Sequence, residues 1–272
     1  MAYYRQVGEV PRQRHTQHRD ADGHLFREEL MGEEGFSSDS SLLYHRGVPS
    51  AIVDSQVWEL GEQRLTPNHP LKPRHLRLHS LFDGAGACPV EGRRLVLGNA
   101  DVRIAYVLTG TEASPLYRNA IGDECVFVQE GSGTVETVFG VIAYRAGDYV
   151  VVPRSTDHRW VPAEASRLYV IEANSHIHPP KRYLSRFGQL LEHAPYCERD
   201  LHGPTETFVA EGSDVEVLVK HRTSAGIVGT RLTYATHPFD VVGWDGCLYP
   251  YTFNIEDYMP ITGKVHQPPP VH

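Results

Sequence analysis

No run of about 18 apolar residues occurs in the 272-residue chain, so the sequence offers no transmembrane helix. Residues 1–15 carry no apolar core and do not read as a signal peptide. Cysteine is scarce: Cys88, Cys125, Cys197 and Cys247 lie far apart and form no CxxC pair. Such thiols, with no secretory signal, read as reduced cytoplasmic residues rather than bridges or a zinc site. Three of the four stand in or beside apolar or aromatic stretches, where a small buried hydrophobe is the usual role. Positive charge is also in deficit, with 26 Lys and Arg against 34 Asp and Glu. The net charge of −8 leaves no electrostatic footprint for nucleic acid. Arg12, Arg14, His15, His18 and Arg19 do cluster, but acidic residues follow at once, as on a solvated arm. Disorder is not indicated either, because 40% hydrophobic and 22% charged residues is a globular balance.

Histidine, by contrast, is plentiful at 16 residues. It is the commonest metal ligand and a near-neutral acid–base group, which favours metal chemistry without locating it. Strand signals dominate the rest. Leu95–Leu108 reads as two short strands around a Gly-Asn-Ala-Asp turn, and Val126–Glu130, Gly133–Tyr144, Asp148–Pro153 and Arg167–Ala173 follow at even spacing. Gly131, Gly133, Gly140 and Gly147 punctuate the turns. Many short strands with regular turns predict a mainly β sandwich or barrel, with the jelly roll as the common closed form. A second set, Asp214–His221 and Ile227–Tyr234, lies past residue 205. Between the sets, Leu184, Phe187, Leu190 and Leu191 fall at helical steps, which predicts a helix over Tyr183–His193. The first 75 residues, rich in Pro, Gly and charge, read as an extended arm wrapping a core. The proline run Gln267–Pro270 fits a turn leading into another element, so the expectation is that the chain halts mid-domain.

The stretch Tyr117–Trp160 can be tested against the metal-site pattern of cupin barrels, HxHxxxE…G followed by G-x5-P-x4-H. Alternate strand residues point the same way, so an HxH pair aims both rings inward. Glu124 fits the glutamate, with Gly131 after it, and Gly147, Pro153 and His158 fit the second motif. The two HxH positions, however, carry Arg118 and Ala120, and a one-residue shift gives Tyr117 and Asn119. Two surviving ligands do not make a 2-His-1-carboxylate site. The expectation is a cupin barrel without its metal, in which Glu124 and His158 form a residual hydrogen-bonded pair. Other histidine pairs, His75 with His79, His176 with His178, and His15 with His18, lack a well-spaced carboxylate and read as structural.

Longer blocks carry a more specific signal. They are HTQHR at His15–Arg19, EELMGEEGFSSDSSLLYHR at Glu28–Arg46, and LYRNAIGDECVFVQEGSGTVETVFG at Leu116–Gly140. Three more are Gly147–Trp160, Glu172–Pro204 and His237–His272. In these blocks the chain resembles the homogentisate 1,2-dioxygenase family, in its shorter bacterial branch, along its whole length. The resemblance implies a bicupin-like β protein assembled into trimers and hexamers. It also implies an oxidoreductase that uses Fe(II) and O2 to open the ring of homogentisate, giving maleylacetoacetate, in tyrosine and phenylalanine catabolism. It further implies a metal-free N-terminal barrel and an iron site of two histidines and a glutamate in a C-terminal barrel. The domains expected from it are an arm with wrapping strands (1–90), a metal-free cupin-like barrel (91–180) and a linking helix with strands (181–236). The start of a catalytic barrel (237–272), left incomplete, would follow.

One catalytic position is carried over by the resemblance: His266, in the context Gly263–Pro268, matches the histidine that contacts the substrate hydroxyl. A phenol of pKa about 10 must lose its proton to bind as phenolate, and imidazole is the side chain poised to accept it near neutrality. The family's ligand segment is expected past His272, so no bound Fe(II) and no turnover are expected of this chain alone. The alternative is a non-catalytic metal-free cupin module with an assembly or binding role. A sugar-type cupin using Glu124 and His158 is disfavoured by the missing HxH.

Overall fold

The β-branched and aromatic runs fold into three sheets in the computed structural model, which describes residues 3–81 and 86–259. The N-terminal stretch supplies β1 (Arg5–Gly8), β2 (Arg27–Glu34), β3 (Ser37–His45) and β4 (Ile52–Trp58). The middle of the chain holds β5 (Arg94–Gly98), β6 (Val102–Leu108), β7 (Leu116–Asn119), β8 (Glu124–Glu130) and β9 (Ser132–Thr137). It continues with β10 (Gly140–Arg145), β11 (Asp148–Val152), β12 (His158–Pro162) and β13 (Arg167–Ala173). Finally come β14 (Val215–Thr223), β15 (Gly226–Tyr234), β16 (Val241–Gly246) and β17 (Tyr251–Asn254). A seven-stranded sheet, in the order β10-β9-β12-β7-β14-β15-β4, lies against a six-stranded sheet, β17-β11-β8-β13-β6-β5. Together they make the jelly-roll barrel of the cupin class. The third sheet, β1-β16-β3-β2, packs outside it.

Two apolar cores share several strands. Val126, Val128, Val150, Val152, Leu168 and Val170 from one sheet meet Val135, Ile142, Trp160 and Leu218 from the other inside the barrel. Val151, Leu116, Val217 and Val219, on the opposite faces of the same strands, join Leu43, Phe139, Phe239, Trp244 and Tyr249 in a second core. Side chains alternate sides along a strand, so the Val-Val-Val of β11 and the Val-Leu-Val of β14 feed both cores at once. Trp244 fixes the outer sheet through its indole N–H, which donates to the Phe139 carbonyl at 2.7 Å.

The N-terminal stretch wraps the barrel as paired strands rather than as extended chain alone. Leu42, Leu43 and Tyr44 of β3 are fully buried, and β4 extends the seven-stranded sheet by pairing with β15. Segment 237–259 contributes to both layers: β16 pairs with β1 and β3, while β17 pairs with β11 at the barrel edge. His45 ends β3 in a buried position between Asp240 (Nδ1, 2.6 Å) and Glu29 (Nε2, 3.1 Å). Burial alone would depress its pKa, but these two carboxylates overcome it and lift the imidazole to about 9.

The expected helix over Tyr183–His193 does not form. A single 3-10 turn, Lys181–Tyr183, follows the Pro179-Pro180 pair, and Leu184 then bridges antiparallel to Leu190. Ser185 explains the difference. Its hydroxyl accepts from the amides of Phe187 and Gln189, a local alternative to helical hydrogen bonding, and Gly188 completes the turn at φ +82°. Phe187, placed on the apolar face of that helix, is exposed. Gly133–Tyr144 also differs, folding as the hairpin β9–β10 rather than one strand, with Gly140 at φ +126° opening the return strand. Gly133 itself lies within β9, where a Cβ would stand 2.5 Å from the Val161 carbonyl.

Candidate functional site

The inward-facing polar residues of the barrel converge between the neighbouring strands β12 and β7 of one sheet and β8 and β13 of the other. The shifted cupin register is the one the fold adopts. Tyr117 and Asn119 face inward, and the Tyr117 hydroxyl and the Asn119 amide each donate to Glu124 Oε1 at 2.9 Å. Arg118 and Ala120 face the other way. Arg118 forms a two-pronged ion pair with Asp157 and lies over the Tyr234 ring, and Ala120 packs against the outer core. His158 stands opposite Tyr117 in the β12–β7 register, their rings edge to face at 5.3 Å.

The expected hydrogen bond between Glu124 and His158 is absent. His158 Nδ1 lies 2.9 Å from the Thr156 carbonyl, which requires the ring proton on that nitrogen, and Nε2 has no hydrogen-bond partner. Burial holds the ring below its ordinary pKa, so it stays neutral. Glu124 has instead been taken by a cation. Arg93 Nη1 donates to Oε2 at 2.9 Å and lies 3.8 Å from Glu172 Oε1, and Glu172 in turn receives Lys220 Nζ at 2.5 Å. Glu172 stands directly opposite Glu124 in the β13–β8 register. Two carboxylates and two cations therefore neutralise one another, all at most 9% exposed. Burial would raise the Glu124 pKa; the Arg93 charge, backed by the Asn119 hydrogen bond and Lys220, holds it well below the carboxylate range. Tyr117 is pushed up by burial and by Glu124, so it remains a hydrogen-bond donor.

This arrangement does not fit an iron ion. Both Glu124 oxygens already accept hydrogen bonds, Tyr117 and Asn119 offer no imidazole, and only His158 Nε2 is open. The guanidinium of Arg93 occupies the electrostatic role a metal would play. Beside the cluster a cavity of about 40 Å³ is lined by Trp58, Val90, Arg93, Tyr117, Glu172 and Lys220, which is room for about a water molecule.

Arg93, Glu172 and Lys220 are the members that motif spacing missed. Lys220 and Glu172 had a legible signal, since each is a charged residue directly following an apolar run, Val217–Val219 and Leu168–Ile171. Arg93 had none, because it sits in an Arg-Arg pair at the start of β5. The histidines of the other pairs lie outside the barrel interior. His15 meets Glu28, His18 packs on Phe26 and Tyr44, and His75 and His79 are exposed. His266 lies outside the described residues. No helix among the described residues is long and apolar enough to cross a membrane.

The chain is similar to several known proteins. A protein of Saccharolobus solfataricus, named provisionally as a dioxygenase, is 36% identical over 99% of this chain and 68% of its own length. The homogentisate 1,2-dioxygenase of Caenorhabditis elegans is 26% identical over 80% of this chain and 49% of its own. That of Emericella nidulans is 24% identical over 61% and 38%. The chain thus spans half or less of those two dioxygenases. Among solved structures, a cupin-2 domain protein of Shewanella frigidimarina aligns over 35% of this chain and 87% of its own, at 22% identity and a TM-score of 0.30. A profile described as the homogentisate 1,2-dioxygenase N-terminal family matches residues 69–255, and the chain belongs to that family.

Proposed function

We propose that this chain serves an Fe(II)- and O2-dependent dioxygenase that opens the ring of homogentisate to maleylacetoacetate, and that it supplies the metal-free barrel. The reading rests on the family match and on one observation. Tyr117, Asn119, Glu124 and His158 occupy the positions where a metal-binding cupin would carry its ligands, yet Arg93 closes the glutamate internally. Such a barrel contributes a rigid, charge-balanced support. In this reading the iron ligands belong to a second barrel outside the described residues, the enzyme works in the cytoplasm, and copies assemble as trimers or hexamers. His266 contacts the substrate hydroxyl and takes its proton, work that suits an imidazole near neutral pH.

Oxygen consumption with homogentisate tests the proposal. The 272-residue chain alone is expected to show none. A polypeptide extended by the family's ligand-bearing segment is expected to consume O2 with homogentisate and Fe(II), and to lose most of its kcat on His266→Ala. Uptake by the 272-residue chain that disappears with Glu124→Gln would place iron in the described barrel and overturn the reading. The second reading, an assembly module, is favoured by the same closed ion-pair network, and it predicts no uptake in either form.

A further inference from the structure

The sequence singled out His176 and His178 as an HxH without a carboxylate partner, and the fold supplies partners from far away. His178, in the loop after β13, meets Glu33 of β2 and Asp39 of β3, and one ligand atom from each lies within 4.8 Å of the others. Glu33 is the informative member. Its side chain is 1% exposed, its Oε2 accepts from the Ser38 hydroxyl at 2.7 Å, and its Oε1 has no hydrogen-bond partner. His178 Nε2 stands 3.5 Å from that oxygen. A buried carboxylate oxygen without a donor is costly, and a cation is the usual remedy.

The surroundings hold the three segments in place. Arg154 Nη2 donates to the Glu33 carbonyl at 2.6 Å. The buried Asp123 accepts from the amides of Ile177 and Arg154, both at 2.8 Å, which pins the loop immediately before His178. The site opens to solvent through His178, whose side chain is 37% exposed, so an ion has an entry path.

We propose that Glu33, Asp39 and His178 form a binding site for a divalent first-row transition cation, separate from the barrel interior. Two carboxylates and one imidazole suit Zn2+, Mn2+, Co2+ or Fe2+ better than Mg2+ or Ca2+, which prefer oxygen alone. Bonds of about 2.0–2.2 Å require only that the exposed His178 and the half-buried Asp39 close in on the fixed Glu33 oxygen. A bound ion ties the β2–β3 hairpin to the loop after β13. The inference goes against the expectation that this chain binds no metal, and it does not depend on the proposed ring-cleavage activity. The other cluster of suitable groups, Asp20, Asp22 and His24, lies within one exposed loop whose Asp20 already accepts two backbone amides. That loop serves as the control.

The test is titration of the metal-free 272-residue chain with Co2+, read by visible ligand-field absorption, by competition with Zn2+ and by the shift in melting temperature. The expected result is saturation at about one ion per chain and a raised melting temperature. Glu33→Gln and His178→Ala should each weaken binding by more than about 100-fold, the upper end of what loss of a supporting group costs. His24→Ala should leave it unchanged. Circular dichroism checks that each variant folds, and Asp39→Asn replaces Glu33→Gln if that one does not. No saturable binding by the wild-type chain overturns the proposal. So does tight binding that survives in the ligand variants, or binding that is lost with His24→Ala.

Discussion

Replacing Arg93 by methionine is the sharpest probe of the barrel interior. The substitution keeps an unbranched apolar stem and removes the charge that faces Glu124 at 2.9 Å and Glu172 at 3.8 Å. Glu124 would keep its hydrogen bonds from Tyr117 and Asn119 but lose the cation on Oε2. Removing one partner of a buried pair leaves an uncompensated charge and typically costs about 3–5 kcal/mol. At roughly 2–4 °C per kcal/mol for a chain of this size class, the melting temperature should fall by on the order of 10 °C. The double variant Arg93→Met/Glu124→Gln should recover much of that loss, because the orphaned charge goes with its partner. Denaturant unfolding of the four corners of this cycle gives the coupling, expected at about 2 kcal/mol or more. The acid side of the stability curve gives an independent sign. A carboxyl whose pKa is depressed by folding contributes stability above its ordinary pKa and loses it as pH falls below. The wild type should therefore weaken below about pH 4.3, and Arg93→Met should show a shallower acid slope. An Arg93→Met cost under about 1 kcal/mol, with additive singles, would refute the ion-pair account.

Three further outcomes follow from particular contacts. His45 is raised by folding to about 9, so its contribution is complete below about pH 6.5 and fades as pH rises through 9; His45→Gln should flatten the alkaline slope in pH-dependent unfolding. Leu43→Ala, at a fully buried site in the outer core, should cost about 2–5 kcal/mol by denaturant titration, more if the site cannot collapse. Trp244→Phe removes the indole donor to the Phe139 carbonyl and leaves that buried acceptor unpaired, for a loss of about 1–3 kcal/mol measured the same way.

Much of the barrel was legible because its strands are short and separated by glycine turns. The Gly-Asn-Ala-Asp turn falls between β5 and β6, and Arg167–Ala173 is β13 as spaced. The cupin pattern found the right region but not its register. Spacing alone does not say whether Tyr117 and Asn119 or Arg118 and Ala120 point inward; the Asp157 partner on the outer side decides it. The helix over Tyr183–His193 failed because apolar periodicity outweighed a serine whose hydroxyl satisfies the local amides. Arg93 and Lys220 reach Glu124 and Glu172 across long sequence separations, which no local pattern encodes. The N-terminal strands were hidden for two reasons: five of the eight residues of β2 are charged, and β4 is exposed at every position but Trp58, so neither shows a clean apolar face.

Strands that are apolar on both faces settle their pairing poorly by hydrophobicity, because slipping Val150-Val151-Val152 by one position exchanges one valine environment for another. The charged cluster supplies what the valines cannot. A one-residue slip of β8 would turn Glu124 away from Arg93, Tyr117 and Asn119 and into the outer apolar core. The buried ions thus act as an alignment key for the barrel, and neutral substitutes of equal stability would be expected to admit a second register.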